Sequence, residues 1–191
     1  MAIIKKSIFL TLLLLINSYL FANNITVNSS KGIFKFDIPE TWEDISVYDN
    51  TLIDYYQFRI NEACFFNCVT IDNYALVSAQ YSNILRSQLN YSKYPKTLMN
   101  NCHELFCQNY IAGIQENHPD LKLLEKKITF LANLPANYLK FTYNYKTEII
   151  YQEVYEVLYN GYSCKFTYFY DENSKYSVLK QVKQVLDSIQ F

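Results

Sequence analysis

The sequence predicts an α+β fold, an antiparallel β-sheet with helices packed on it. Three observations carry this. Apolar and polar residues alternate over 32–38, 139–145 and 162–170, the period-two pattern of half-buried strands. Apolar residues recur at helical spacing over 78–89, 98–110 and 174–186. The two kinds of element come in blocks rather than alternating, which points to an antiparallel sheet instead of a parallel one.

A leader precedes these elements. Met1 to Lys6 is a short basic start, Ser7 to Phe21 is an apolar stretch, and Ala22 is a small residue suited to cleavage. Residues 1–22 are therefore expected to be a signal peptide and 23–191 a single domain. The apolar stretch is short for a bilayer helix and Asn17 interrupts it. No later segment is long and apolar enough to span, so no stable membrane insertion is expected after cleavage. The expected location is the periplasm or the extracellular space.

Within the mature part, residues 23–31 are polar and read as a loose start. Phe34, Phe36 and Ile38 share one strand face, Pro39 stops the strand, and Trp42 is placed to cap the core. Residues 45–60 and 65–77 read as further strands. Tyr81, Ile84, Leu85 and Leu89 form one helical stripe. Pro95 opens a second, with Leu98, Met99, Cys102, Leu105, Phe106 and Tyr110. Leu139, Phe141, Tyr143 and Tyr145 alternate, 149–159 is another strand, and Asn160-Gly161 is a two-residue hairpin turn. Ser174 opens the last helix, whose inner face is read as Tyr176, Leu179, Val182, Val185 and Leu186.

The chain has 17 basic and 18 acidic residues. Lys5 and Lys6 fall in the leader, which leaves the mature part slightly acidic. Such a domain has no general attraction to phosphate backbones, so no nucleic-acid partner is expected. Tyrosine occurs 19 times and glycine three times. Scarce glycine excludes Gly-rich phosphate loops, and no nucleophile elbow or cofactor motif is present. No cofactor is implied.

All five cysteines lie in the mature part. Export to an oxidising compartment makes disulfides the default for Cys64, Cys68, Cys102 and Cys107. An extended 64–68 segment spans ~13 Å, beyond the ~7 Å a bridge allows. Cys102 and Cys107 on a helix point about 140° apart. The expectation is therefore two cross-links between the segment and the helix, 64–107 with 68–102 or the reverse, leaving Cys164 a buried thiol. The alternative is a four-cysteine zinc site, whose usual spacers run from two to four residues, the second pair here having four; export favours disulfides over it. His103-Glu104-Leu105-Phe106-Cys107 is one residue away from a zinc-protease helix, but Cys replaces the second histidine. Cys102 and His103 are neighbours about 100° apart and make a poor nucleophile pair. No metal site is assigned.

Phe36-Asp37-Ile38-Pro39 followed by Trp42, and Leu186-Asp187-Ser188-Ile189-Gln190-Phe191 after an aromatic strand and a helix, resemble the two ends of PsbP-like domains. The resemblance implies an α/β/α sandwich around an antiparallel sheet. It implies an exported or lumenal protein that binds, assembles or stabilises partners, with no catalytic residue to carry over. The cysteine-bearing stretch 64–107 is not part of that pattern.

Three functions remain in order of support. The first is a non-catalytic binding or assembly protein with a protein partner, using Tyr151, Tyr155 and Tyr159 on one strand face as the contact. Packing of that face beneath a helix is the structural alternative, since it also carries Ile149 and Val157. The second is a small-ligand carrier with an aromatic-lined cleft. The third is a hydrolase, whose sign is a cleft holding His103 or His118 beside a carboxylate or thiol.

Overall fold

Nine strands and three helices form over residues 24–47, 53–80 and 83–191, which are the parts that the computed structural model describes. The signal peptide expected over residues 1–22 and the stripe residue Tyr81 lie outside the described residues. β1 (Asn24–Asn28) and β2 (Lys35–Pro39) make an antiparallel hairpin. The other strands are β3 (Glu43–Asp44), β4 (Asp54–Arg59), β5 (Phe65–Asp72), β6 (Lys122–Leu131), β7 (Leu134–Tyr145), β8 (Glu148–Tyr159) and β9 (Tyr162–Asp171). They form one antiparallel sheet in the order β3-β4-β5-β9-β8-β7-β6. The helices are α1 (Asn73–Ser78), α2 (Lys96–Gln115) and α3 (Lys175–Ser188).

Strand alternation sorts the side chains onto two faces. Odd residues of β8 share a face with Phe66 and Phe166, and there the hairpin and α3 close the main core around Phe36, Phe58, Val178 and Val182. The three valines that α3 buries, Val178, Val182 and Val185, each contribute about 1.5–3 kcal/mol. Even residues of β8 face α2, where Phe106 and Cys107 pack on Leu139, Phe141 and Val154. Leu89, Tyr91 and Met99 cover Leu158 on the same side. Layers on both faces of one antiparallel sheet make the α/β/α sandwich that the sequence led us to expect.

The two segments behind the family resemblance meet in space. Lys35 and Gln190 exchange backbone hydrogen bonds of 2.8 and 2.9 Å, and the Asp37 amide donates to the Ser188 hydroxyl at 2.9 Å. Trp42 is buried, and its indole N–H donates to Gln181 of α3 at 2.9 Å.

Several elements depart from the sequence reading. The helix expected over 78–89 is absent among the described residues. α1 ends at Ser78, Asn83 has φ +75°, and 3-10 turns at Arg86–Gln88 and Tyr91–Lys93 follow. Of the stripe residues described, Ile84 and Leu89 reach one small core from separate turns, whereas Leu85 is exposed, so the helical spacing does not mark a helix face. The polar start pairs as β1, held by the backbone ladder, with only Val27 packed on the core. β6 is a sheet edge with Leu123, Leu124 and Phe130 exposed, so it shows no alternation to read. Tyr176 is 86% exposed and does not belong to the inner face of α3.

Candidate functional site

β8 carries two buried carboxylates on opposite faces, and each organises a polar cluster. Glu153 points to the α3 side. One of its oxygens accepts from the Tyr170 hydroxyl at 2.7 Å and the Lys140 ammonium at 2.8 Å. The other accepts from Tyr138 at 2.7 Å and from Tyr168. The register explains the set, because Lys140 and Tyr168 are the direct cross-strand partners of Glu153. Burial pushes the carboxyl up, but the Lys140 ammonium and the three hydroxyls outweigh it and hold Glu153 below the usual carboxylate range. Burial first, then the Glu153 charge, pushes the Tyr168 hydroxyl far up. Four donors saturate this carboxylate, leaving no base for chemistry.

Glu156 points to the α2 side. It accepts from Tyr91 and the Asn137 amide, each at 3.0 Å, and from the Ser163 hydroxyl at 2.8 Å. The Asn137 carbonyl oxygen is 3.2 Å from His103 Nδ1, and His103 Nε2 is 3.6 Å from Cys107 Sγ. A thiol, an imidazole and an amide thus stand in line. His103 and Cys107 meet because they are four residues apart on α2, the spacing that puts two side chains on one helix face. Cys107 is 2% exposed and His103 6%. Burial pushes the Cys107 thiol up to about 11, against the pull of Lys126. The thiol therefore keeps its proton at neutral pH.

His118 stacks on Tyr143 with ring centroids 3.9 Å apart. It lines a cleft of about 660 Å³ that Glu62 and Glu148 also line. No hydrogen bond or ion pair joins His118 to either carboxylate among the described residues. Beside α2, a second cleft of about 730 Å³ is lined by Tyr91, Cys102, Phe106, Tyr110, Glu156 and Lys165, among others. A third, of about 570 Å³, lies between α3 and the β6–β7 turn, with Tyr155, Tyr168, Leu179 and Phe130 in its lining.

Tyr151, Tyr155 and Tyr159 do share one face of β8, and all three are half-buried against the main core. Tyr151 stacks on Tyr170 at 5.2 Å, Tyr155 lies 4.9 Å from Tyr138, and Tyr159 lies 5.3 Å from Phe191. Only Tyr155 lines a cleft that also holds an exposed aromatic, Phe130 at 71%.

The expected cross-links need correction. All five cysteines are free thiols. Cys64 and Cys68 belong to the core under the hairpin and α3, whereas Cys107 belongs to the core under α2 and Cys102 packs on the Leu89–Met99 cluster. The sheet lies between the two sets, so neither 64–107 with 68–102 nor the reverse can close. Cys164 is a buried thiol beside Cys68, on the same face of the next strand. Their register is diagonal, about 7–8 Å apart where a bridge needs Cβ atoms within about 4.5 Å. Asn137, Glu153, Glu156 and Tyr91 gave no signal in the sequence. The four-residue spacing of His103 and Cys107 was the only visible trace of this arrangement.

No family model matches the sequence, and no curated protein matches it. Among solved structures, the chain is similar to cyanobacterial PsbP (CyanoP) from Synechocystis sp. PCC 6803. The TM-score is 0.58 at 11% identity, over 89% of this chain and 93% of that one. The Ran-binding protein Mog1p of Saccharomyces cerevisiae aligns with a TM-score of 0.49 at 9% identity, over 88% and 95%. A structure from Bacteroides thetaiotaomicron VPI-5482 aligns at 0.48 and 7% identity over 86% of this chain, which spans 47% of that longer one. At such identities the likeness is one of fold. The chain folds as a PsbP-like domain.

Proposed function

We propose that the protein is a non-catalytic binding or assembly protein, working in the periplasm or outside the cell on a protein partner. One observation carries the reading: Phe130, 71% exposed, and the half-buried Tyr155 line the same cleft beside α3. A large aromatic left in water beside a concave surface is the kind of anchor that interfaces use. Three groups suited to chemistry, Glu153, Cys107 and His103, are closed off by contrast, and His118 lines a cleft with Glu62 and Glu148 without a hydrogen bond to either among the described residues. Glu153 has all its acceptor positions filled, and Cys107 and His103 are buried facing each other. The leader expected over residues 1–22 supports export. No described helix is long and apolar enough to cross a membrane.

The test is affinity capture from an envelope extract of the source cells with wild type and with Phe130→Ser/Tyr155→Ser. A partner retained by wild type and lost from a variant that still melts cooperatively supports the proposal. Identical recovery by both proteins overturns it.

A further inference from the structure

We propose that the cleft between α2 and the β8–β9 pair binds an organic ammonium ion, with Glu156 as its counter-charge. This site lies on the face opposite Tyr155 and is independent of the interface argued above. The strand itself supplies the comparison. Glu153 and Glu156 are both buried carboxylates, at 5% and 8% exposure, and each accepts three hydrogen bonds from neutral groups. Glu153 has in addition the Lys140 ammonium at 2.8 Å. Glu156 has no cation in salt-bridge contact among the described residues.

Hydroxyls and amides solvate a carboxylate but leave its net charge in place. A buried charge without an opposite one is unfavourable. Glu156 lines the cleft beside α2, and that is the side from which a compensating charge can reach it. The walls there are Tyr91, Phe106 and Tyr110, and aromatic faces beside a carboxylate are what ammonium recognition uses. The volume of about 730 Å³ falls within the range of small-ligand sites and leaves room for an apolar body behind the amine. Lys165 is the register partner of Glu156 on β9 and lines the same cleft, yet forms no ion pair there among the described residues. It is the cation a ligand must compete with, so removing it should tighten binding.

The experiment is calorimetric titration of the purified full chain at neutral pH with phenethylamine and with its neutral analogue 2-phenylethanol. Wild type, Lys165→Met and Glu156→Gln are compared. The amine should bind saturably to wild type or to Lys165→Met, more tightly to the latter, and at least about tenfold more tightly than the alcohol. Glu156→Gln should weaken the amine by about 10- to 100-fold and leave the alcohol unchanged. Should Glu156→Gln fail to fold by near-ultraviolet circular dichroism, the amine–alcohol comparison on the other two proteins decides. The proposal is overturned by no saturable amine binding to either of those proteins, by equal affinity for amine and alcohol, or by a folded Glu156→Gln that keeps full amine affinity.

Discussion

The Lys140 ammonium lies 2.8 Å from the Glu153 carboxylate, the one cation in a cage of three tyrosine hydroxyls. Truncating Glu153 to alanine leaves Tyr138, Tyr168 and Tyr170 without their acceptor and Lys140 without its partner. The expected loss is about 3–5 kcal/mol of stability, read from urea unfolding. A loss under about 1 kcal/mol would show that water replaces the carboxylate.

The same cage makes stability pH-dependent. The folded-state carboxyl is held below its ordinary value, so the contribution is fully present above about pH 4.3, the unfolded-chain value for glutamate. It is lost as pH falls through the lower folded-state value. Wild type should weaken steadily across that acid window, and Glu153→Gln should show a shallower slope over the same range.

Thiol chemistry should divide the cysteines. Cys64, Cys68, Cys107 and Cys164 are 0–2% exposed, whereas Cys102 is half-buried at a cleft. Under native conditions a thiol reagent should modify Cys102 alone, slowly, because burial and then the Glu156 charge raise its thiol above the ordinary value. Unfolding in denaturant without reductant should release the remaining four. Cys102→Ser should abolish the native reaction, and a second native-reactive site would contradict the packing described.

Gly161 cannot be replaced cheaply. It has φ +81°, and a Cβ there would come within 2.9 Å of Tyr74 Cβ and Arg86 Cγ. The Arg86 guanidinium is itself held between the Tyr74 and Tyr162 rings, at 4.6 and 4.5 Å, and paired with Asp72 at 2.9 Å. Gly161→Ala should cost about 2 kcal/mol, from left-handed strain plus displacement of that stack, measured by thermal or urea unfolding.

The β6–β7 turn offers the opposite case. Ala132 and Asn133 have φ +48° and +63°, the mirror-image turn that suits Asn-Gly pairs. Ala132→Gly relieves the left-handed strain and adds chain entropy to the unfolded state. The net gain should be about 0.5–1 kcal/mol. A lower melting temperature would mean that the Ala132 methyl, which packs on the main core, matters more than its backbone.

The sequence by itself determined the sheet meander, its Asn160-Gly161 turn, the long helix after Pro95 and the terminal helix. These follow from local rules, because period-two and period-3.6 patterns are written by neighbouring residues that share a face. The β6 edge escaped those rules because Leu123, Leu124 and Phe130 stay in water and only Ile128 and Leu131 reach a core, so it has no alternation to display. The false helix over 78–89 passed them because Ile84 and Leu89 reach one small core from separate turns, at a spacing that resembles a helix face, while Leu85 stays in water. Only the tertiary structure decided which face each cysteine occupies, and so which of them can ever meet. Strand register sets Glu153 beside Lys140 and Tyr168, and Glu156 beside Asn137 and Lys165, and among the described residues only Lys140 closes an ion pair on its glutamate. Register joins residues far apart along the chain, and no local pattern records it.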